Sequence, residues 1–257
     1  MEFGICLLAV AQMRSLPEER SELVTQLLFG ETFCIIQKKG SWIMIETTHD
    51  TYQGWVSEGQ ITYLNEEYYT FLAESPKFIT TDLVQLLENT TLISSILISA
   101  GSTLYNCSSN KLELLGNNYV FHGSVTPFNT FDCEQAADYS LIFLNAPYLW
   151  GGRSALGIDC SGLVQVVFRM SGLAIDRDAS QQAKQGTPVD LINEAQPGDL
   201  AFFDNEKGLI VHVGLIIDKE YIIHAHNSVR IDRIDHQGIF SQSEKKYTHR
   251  LRLIKRF

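Results

Sequence analysis

The stretch from Tyr148 to Gly162, YLWGGRSALGIDCSG, limits what this chain can be more than any other part of it. Gly151, Gly152 and Gly157 let the backbone approach its surroundings where a Cβ would stand in the way. The segment then delivers Asp159 and Cys160 to the start of a run in which Leu163, Val164, Val167 and Met170 recur at helical spacing. Ser171-Gly172 ends that run. Cys160 is therefore expected at a helix N-terminus, where unpaired amides and the helix dipole favour the thiolate, the nucleophilic form of cysteine. Asp159 is suited to cap the same helix.

A thiol nucleophile needs a base, and the base needs an orienting group. The segments LIVHVGLIID (209–218) and YIIHAH (221–226) read as two strands joined at Asp218-Lys219-Glu220. Paired as a hairpin, they put His212 and His224 on one face, opposite or one diagonal step apart, at roughly 5 to 8 Å. His226 shares that face. A two-residue change of register would bring it opposite His212 in place of His224.

Asp159-Cys160-Ser161 before Gly162-Leu163, Tyr148-Leu-Trp-Gly-Gly upstream, Pro197-Gly-Asp-Leu-Ala-Phe-Phe, His212-Val-Gly and Ile223-His224-Ala stand in one order. Together they resemble the NlpC/P60 family of cell-wall cysteine peptidases, over about the last half of the chain. The resemblance implies an α+β fold with a papain-like catalytic domain. It implies Cys160 as nucleophile, His212 as base and His224 as its orienter, the Ile-His-Ala pattern choosing His224 over His226. It also implies Tyr148, Asp159, Ser161 and Ser180 as substrate contacts, with Tyr148 helping at the oxyanion and Asp159 pairing with a substrate amino group. The implied reaction is hydrolysis between γ-D-glutamate and a diamino acid in peptidoglycan-derived peptides, with no cofactor and no metal.

That resemblance begins after residue 125 of 257, so half the chain is something else. Short strands at Phe33–Gln37, Trp42–Glu46 and Gly54–Val56, separated by turns, suggest a small barrel. The pattern ending in Gly54-Trp55-Val56 resembles a bacterial SH3 domain. Residues 3–12 read as one strand, 65–86 as short helices or a connector that includes TTDLVQLLE, and 92–123 as a more divergent SH3-like unit. A helix is expected over 130–145, ended by Pro147. The domains are then 1–64 (SH3-like β-barrel), 65–125 (connector and second SH3-like unit) and 126–257 (catalytic). Trp42, Trp55 and Trp150 are expected in cores.

A formal charge of −10 argues against nucleic acid as a ligand. Cys6, Cys34, Cys107, Cys133 and Cys160 form no metal-ligand spacing, and a disulfide framework is not expected. The apolar run from Ile5 to Val10 is short and has no basic segment before it, which argues against an export signal. No stretch is long enough to span a bilayer. A cytoplasmic monomer acting on wall fragments is expected, the alternative being an exported form whose signal was removed.

Without a linker of low complexity between the modules, the first domain is expected to help form the substrate site. Wall-recycling enzymes of similar layout imply a closed cleft that admits a free N-terminal L-alanine. Glu22 and Tyr52 are the candidates that would line it. Two other readings compete: a noncatalytic wall-binding protein, and a metal-dependent hydrolase using His224-x-His226 with His212 and a carboxylate.

Overall fold

Alternation along the chain sets the first half. The run from Trp42 to Thr47 buries every second side chain, Ile43, Ile45 and Thr47, as a strand with one covered face must. The computed structural model describes residues 1–129 and 131–257, and they divide into two compact units. The first comprises Met1–Thr130 with Trp150–Ala155, the second Phe131–Leu149 with Leu156–Phe257.

In the first unit, strands β1 (Glu2–Ile5), β2 (Val10–Arg14), β3 (Leu23–Leu28), β4 (Thr32–Lys39), β5 (Trp42–Thr47), β6 (Gln53–Ser57) and β7 (Thr62–Leu64) form one sheet. Its order is β3-β2-β6-β5-β4-β1-β7. The single strand expected over 3–12 is two. β1 pairs with β4 and β7 whereas β2 pairs with β3 and β6, so the chain must turn between them.

Helix α1 (Glu66–Glu74) follows, its first turn capped by Asn65, which accepts from the Tyr68 amide. Then come β8 (Lys77–Thr80), β9 (Val84–Asn89), β10 (Ser94–Ser99), β11 (Thr103–Tyr105), β12 (Lys111–Leu114), β13 (Asn117–Phe121) and β14 (Val125–Pro127). They make two small sheets, β10-β9-β13-β12 and β11-β8-β14. The leucine-rich stretch expected to be helical is β9, because β10 and β13 take up its backbone groups on both sides. Phe3 and Leu64 of the first sheet, with Phe29 in the turn after β3, share one core with Leu87, Leu104 and Phe121.

The second unit begins with α2 (Cys133–Leu141), capped by Asp132, which accepts from the amides of Glu134 and Gln135. It ends at Leu141 rather than at Pro147, and residue 130, where the sequence pattern opens, lies outside the described residues. After the short strands β15 (Arg153–Ser154) and β16 (Gly157–Ile158) come α3 (Cys160–Met170) and α4 (Ala179–Gln182). The remaining strands are β17 (Thr187–Val189), β18 (Leu200–Asp204), β19 (Ile210–Ile216), β20 (Tyr221–His226), β21 (Ser228–Ile234), β22 (Gly238–Ser241) and β23 (Lys246–Arg256). Their order is β17-β23-β18-β19-β20-β21-β22, and β23 also pairs with β22, so six strands close on themselves. Phe203, Ile216, Ile222, Ile239 and Ile254 fill the closed sheet. α3 is buried over all eleven residues, so in place of the one apolar face expected it is a helix buried all round.

Residues 150–155 belong to the first unit although they sit in the middle of the second in sequence. Arg153 donates from both terminal nitrogens to Glu31 at 2.9 Å and from its amide to the Gln26 side chain at 2.8 Å. Both charged partners are 1% exposed. Gly151 has φ +76°, and a Cβ there would lie 2.3 Å from the Leu23 carbonyl oxygen, so only glycine fits. Trp150, expected in a core, is 60% exposed, and its indole N–H donates to Glu22 at 2.7 Å.

Candidate active site

The start of α3 is held by a buried ion pair. Asp159 caps the helix by accepting from the Gly162 amide at 2.7 Å, and Arg177 grips both of its oxygens, at 3.0 and 2.6 Å. Arg177 also donates to the Ser161 hydroxyl at 2.7 Å, while Gln182 donates to the Ser161 carbonyl at 3.1 Å. Asp159, Ser161 and Arg177 are all buried. Fixing both flanks of Cys160 in this way leaves the thiol little freedom to wander. Arg177 had no signal in the sequence, since a buried arginine and a surface arginine are written alike. Ser180 lies exposed on α4.

Cys160 itself is 7% exposed. Burial, with the Asp159 charge adding to it, pushes the thiol up to about 12, and the amides of Val213 and Ser161 together with the Arg177 charge only partly oppose this. The resting sulfur is therefore a thiol. The thiolate expected from the helix terminus does not prevail, because desolvation of a charged sulfur outweighs a few aligned amides. The Val213 contact places the residue after His212 against the nucleophile. Tyr148 is 36% exposed, and its amide donates to the Asn227 carbonyl at 3.0 Å. Burial, then the neighbouring Cys160 and Asp159, raise its phenol to about 12, so it stays an O–H donor.

β19 and β20 pair antiparallel, with Leu215 opposite Ile223 and Ile216 opposite Ile222. Continuing that register sets Gly214 across from His224 and His226 across from His212. The bond nevertheless runs along the diagonal: His212 Nε2 lies 2.9 Å from His224 Nδ1. Gly214 permits it, since a Cβ there would come within 3.0 Å of the His224 Cβ and 2.7 Å of the Ile222 side chain. His226 is half-buried, 3.9 Å from Glu244.

The chain of contacts continues. His224 Nε2 meets Asp232 Oδ2 at 3.1 Å, and Arg230 holds that carboxylate at 2.7 and 2.9 Å. With its Nε2–H given to Asp232, His224 presents Nδ1 as acceptor to the Nε2–H of His212, which leaves His212 Nδ1 as the free base. Burial, then the neighbouring histidines, hold His212 well below 6.5. Burial also lowers His224, against the pull of Asp232. His249, on β23, stacks on His212 with centroids 4.1 Å apart and planes 23° from parallel, and burial lowers it to about 4. Asp232 carries no signal in the sequence, since a carboxylate on the next strand of a hairpin reads as a surface charge, and His249 meets His212 only once β23 and β19 flank β18 in the sheet.

Glu22 and Tyr52 lie in the first unit. Glu22 is exposed and bonded to Trp150, and Tyr52 packs on the core of the first sheet. Among the described residues, the histidines whose ring nitrogens gather within 4.8 Å are His212, His224 and His249. The metal alternative built on His224-x-His226 does not find its third residue there.

Residues 145–251 match the NlpC/P60 family, and residues 13–61 match the bacterial dipeptidyl-peptidase Sh3 domain. The chain is 29% identical to a gamma-D-glutamyl-L-lysine dipeptidyl-peptidase of Bacillus cereus over 249 residues, 86% of this chain and 74% of that protein. It is 26% identical to dipeptidyl-peptidase 6 of Lysinibacillus sphaericus, over 91% of this chain and 92% of that one. The crystal structure of an NlpC/P60 family protein from Bacillus cereus superposes with a TM-score of 0.85 at 21% identity, covering 99% of each chain, which establishes the shared fold.

Proposed function

We propose that this chain, which carries an NlpC/P60 domain behind a bacterial SH3 domain, is a cysteine peptidase that cleaves the γ-D-glutamyl to diamino acid bond of peptidoglycan-derived peptides. The observation that carries the peptidase reading is the relay Asp232–His224–His212 ending one residue from the amide that touches Cys160. The substrate class is supported by the relatives named gamma-D-glutamyl-L-lysine dipeptidyl-peptidase.

Attack begins from a neutral pair. His212 Nδ1 takes the thiol proton as sulfur adds to the scissile carbonyl, and the Cys160 amide with the Tyr148 hydroxyl donates to the oxyanion. His212 then returns the proton to the leaving amine, and water resolves the thioester by the same base. His224, held by Asp232, keeps the imidazole in the tautomer that makes this possible.

A neutral resting pair has a pH signature. His212, depressed well below 6.5, stays unprotonated through mildly acidic pH. Cys160, raised from 9.0 to about 12, stays protonated through mildly alkaline pH. The expected kcat/KM is flat between those limits, and the free enzyme shows no thiolate absorbance at neutral pH. A Cys160 thiolate titrating near neutrality would refute the neutral pair.

For the substrate, L-Ala-γ-D-Glu-L-Lys and its diaminopimelate counterpart are to be incubated with and without N-acetylation, and the products identified by mass spectrometry. Release of L-Ala-γ-D-Glu is expected. We propose Glu22 as the partner of the free ammonium, because the Asp159 charge is already balanced by Arg177, whereas Trp150 gives Glu22 a neutral donor. Glu22→Gln should then slow the free-amine peptide and spare the acetylated one. Equal cleavage of both peptides by the unaltered enzyme would dispose of the amine requirement while leaving the peptidase intact.

A further inference from the structure

We infer that His212, His224 and His249 form a site for a divalent transition-metal ion, Zn2+ fitting best, and that filling it switches the peptidase off. The binding half stands on the three imidazoles alone. The inhibitory half rests on the peptidase reading above, since two of the ligands are its base and orienter.

Each ring offers one nitrogen, and the three lie within 4.8 Å of one another. Three imidazoles with a fourth position open to water are a donor set that Zn2+ accepts, at about 2.0 to 2.1 Å per bond. His224 is already arranged as a ligand. Its Nε2–H goes to Asp232 at 3.1 Å, so the Nδ1 lone pair points into the cluster, and a carboxylate behind a histidine is the usual outer support of a bound metal. The ion takes the place of the proton that His212 and His224 share across 2.9 Å, and that proton passes to His212 Nδ1, so the ligand stays a neutral imidazole and the base is lost.

His249 is the ligand that must move. Its plane is only 23° from that of His212, so the two lone pairs do not yet converge. It is the half-buried member of the three and lines an open cavity of about 870 Å³ with Asp204, Asn205 and Glu206. That side gives the ring room to turn and gives the ion a way in. His226 is left out, its nitrogen facing Glu244.

Co2+, which reports its coordination by colour, is the probe for binding. Cys160→Ser protein should take up one equivalent and develop the visible bands of a tetrahedral nitrogen site. The double variant with His249→Phe keeps an aromatic ring on His212 but offers no ligand, and should bind at least about tenfold more weakly. Asp232→Asn should weaken Co2+ about 10- to 100-fold. Circular dichroism and melting temperature establish that each variant is folded. For inhibition, His249→Phe with an intact Cys160 should need at least about tenfold more Zn2+ than the unaltered enzyme, each normalised to its own metal-free rate. Equal Co2+ affinity with and without His249, or binding that vanishes in Cys160→Ser together with a sulfur-to-cobalt band, overturns the site. Tight Co2+ binding without Zn2+ inhibition overturns the switch alone. Tight binding to a protein that never cleaves peptide overturns the peptidase reading and leaves the site standing.

Discussion

Cys160→Ala is expected to yield a folded protein whose turnover of γ-D-glutamyl peptides falls by at least about 10⁴-fold, since removing a nucleophile leaves only binding and oxyanion stabilisation. The sulfur is buried, so some loss of packing accompanies the change, on the order of 1 kcal/mol. Asp159, Ser161 and Arg177 hold one another without the thiol, and the start of α3 should persist. Peptide hydrolysis followed by mass spectrometry, alongside a thermal melt, separates the two effects. A variant that retains a tenth of the activity would show that another group attacks.

His224→Ala should cost about 10² to 10⁴ in kcat, the range for a base that loses its orienting partner. His212 then has no acceptor for its Nε2–H at 2.9 Å and can hold the wrong tautomer or turn away. His226→Ala should change kcat by no more than a few-fold, because His226 faces Glu244 and solvent. Steady-state rates on one peptide decide the order. If His226→Ala were the more damaging, the diagonal pairing in the structure would not be the working one.

The Cys–His–His set was legible because each member sits in a local pattern, a helix start or an alternating strand, that survives being read in isolation. Register was not legible. Both candidate histidines lie on one face of β20, and the room for the diagonal His212–His224 contact comes from Gly214 on the facing strand. The ionisation state of Cys160 was not legible for a related reason: the helix terminus is a local feature, whereas burial belongs to the whole fold. The same holds for β9, where leucine spacing pointed to helix and two flanking strands decided otherwise. Arg177 and His249 gain their meaning from partners elsewhere in the chain, and Asp232 from a burial that its own strand does not announce.

Residues 150–155 bear on how such a protein can be divided or inherited. No single cut separates the two units, because a cut near residue 130 strands Arg153 on the side that lacks Glu31 and Gln26. A gene fragment encoding residues 131–257 alone therefore specifies a guanidinium without its Glu31 counter-charge, ahead of the cap that holds the nucleophile, and a Gly151 turn with nothing to turn against. An incoming module would have to bring a buried carboxylate and a matching edge for this strap.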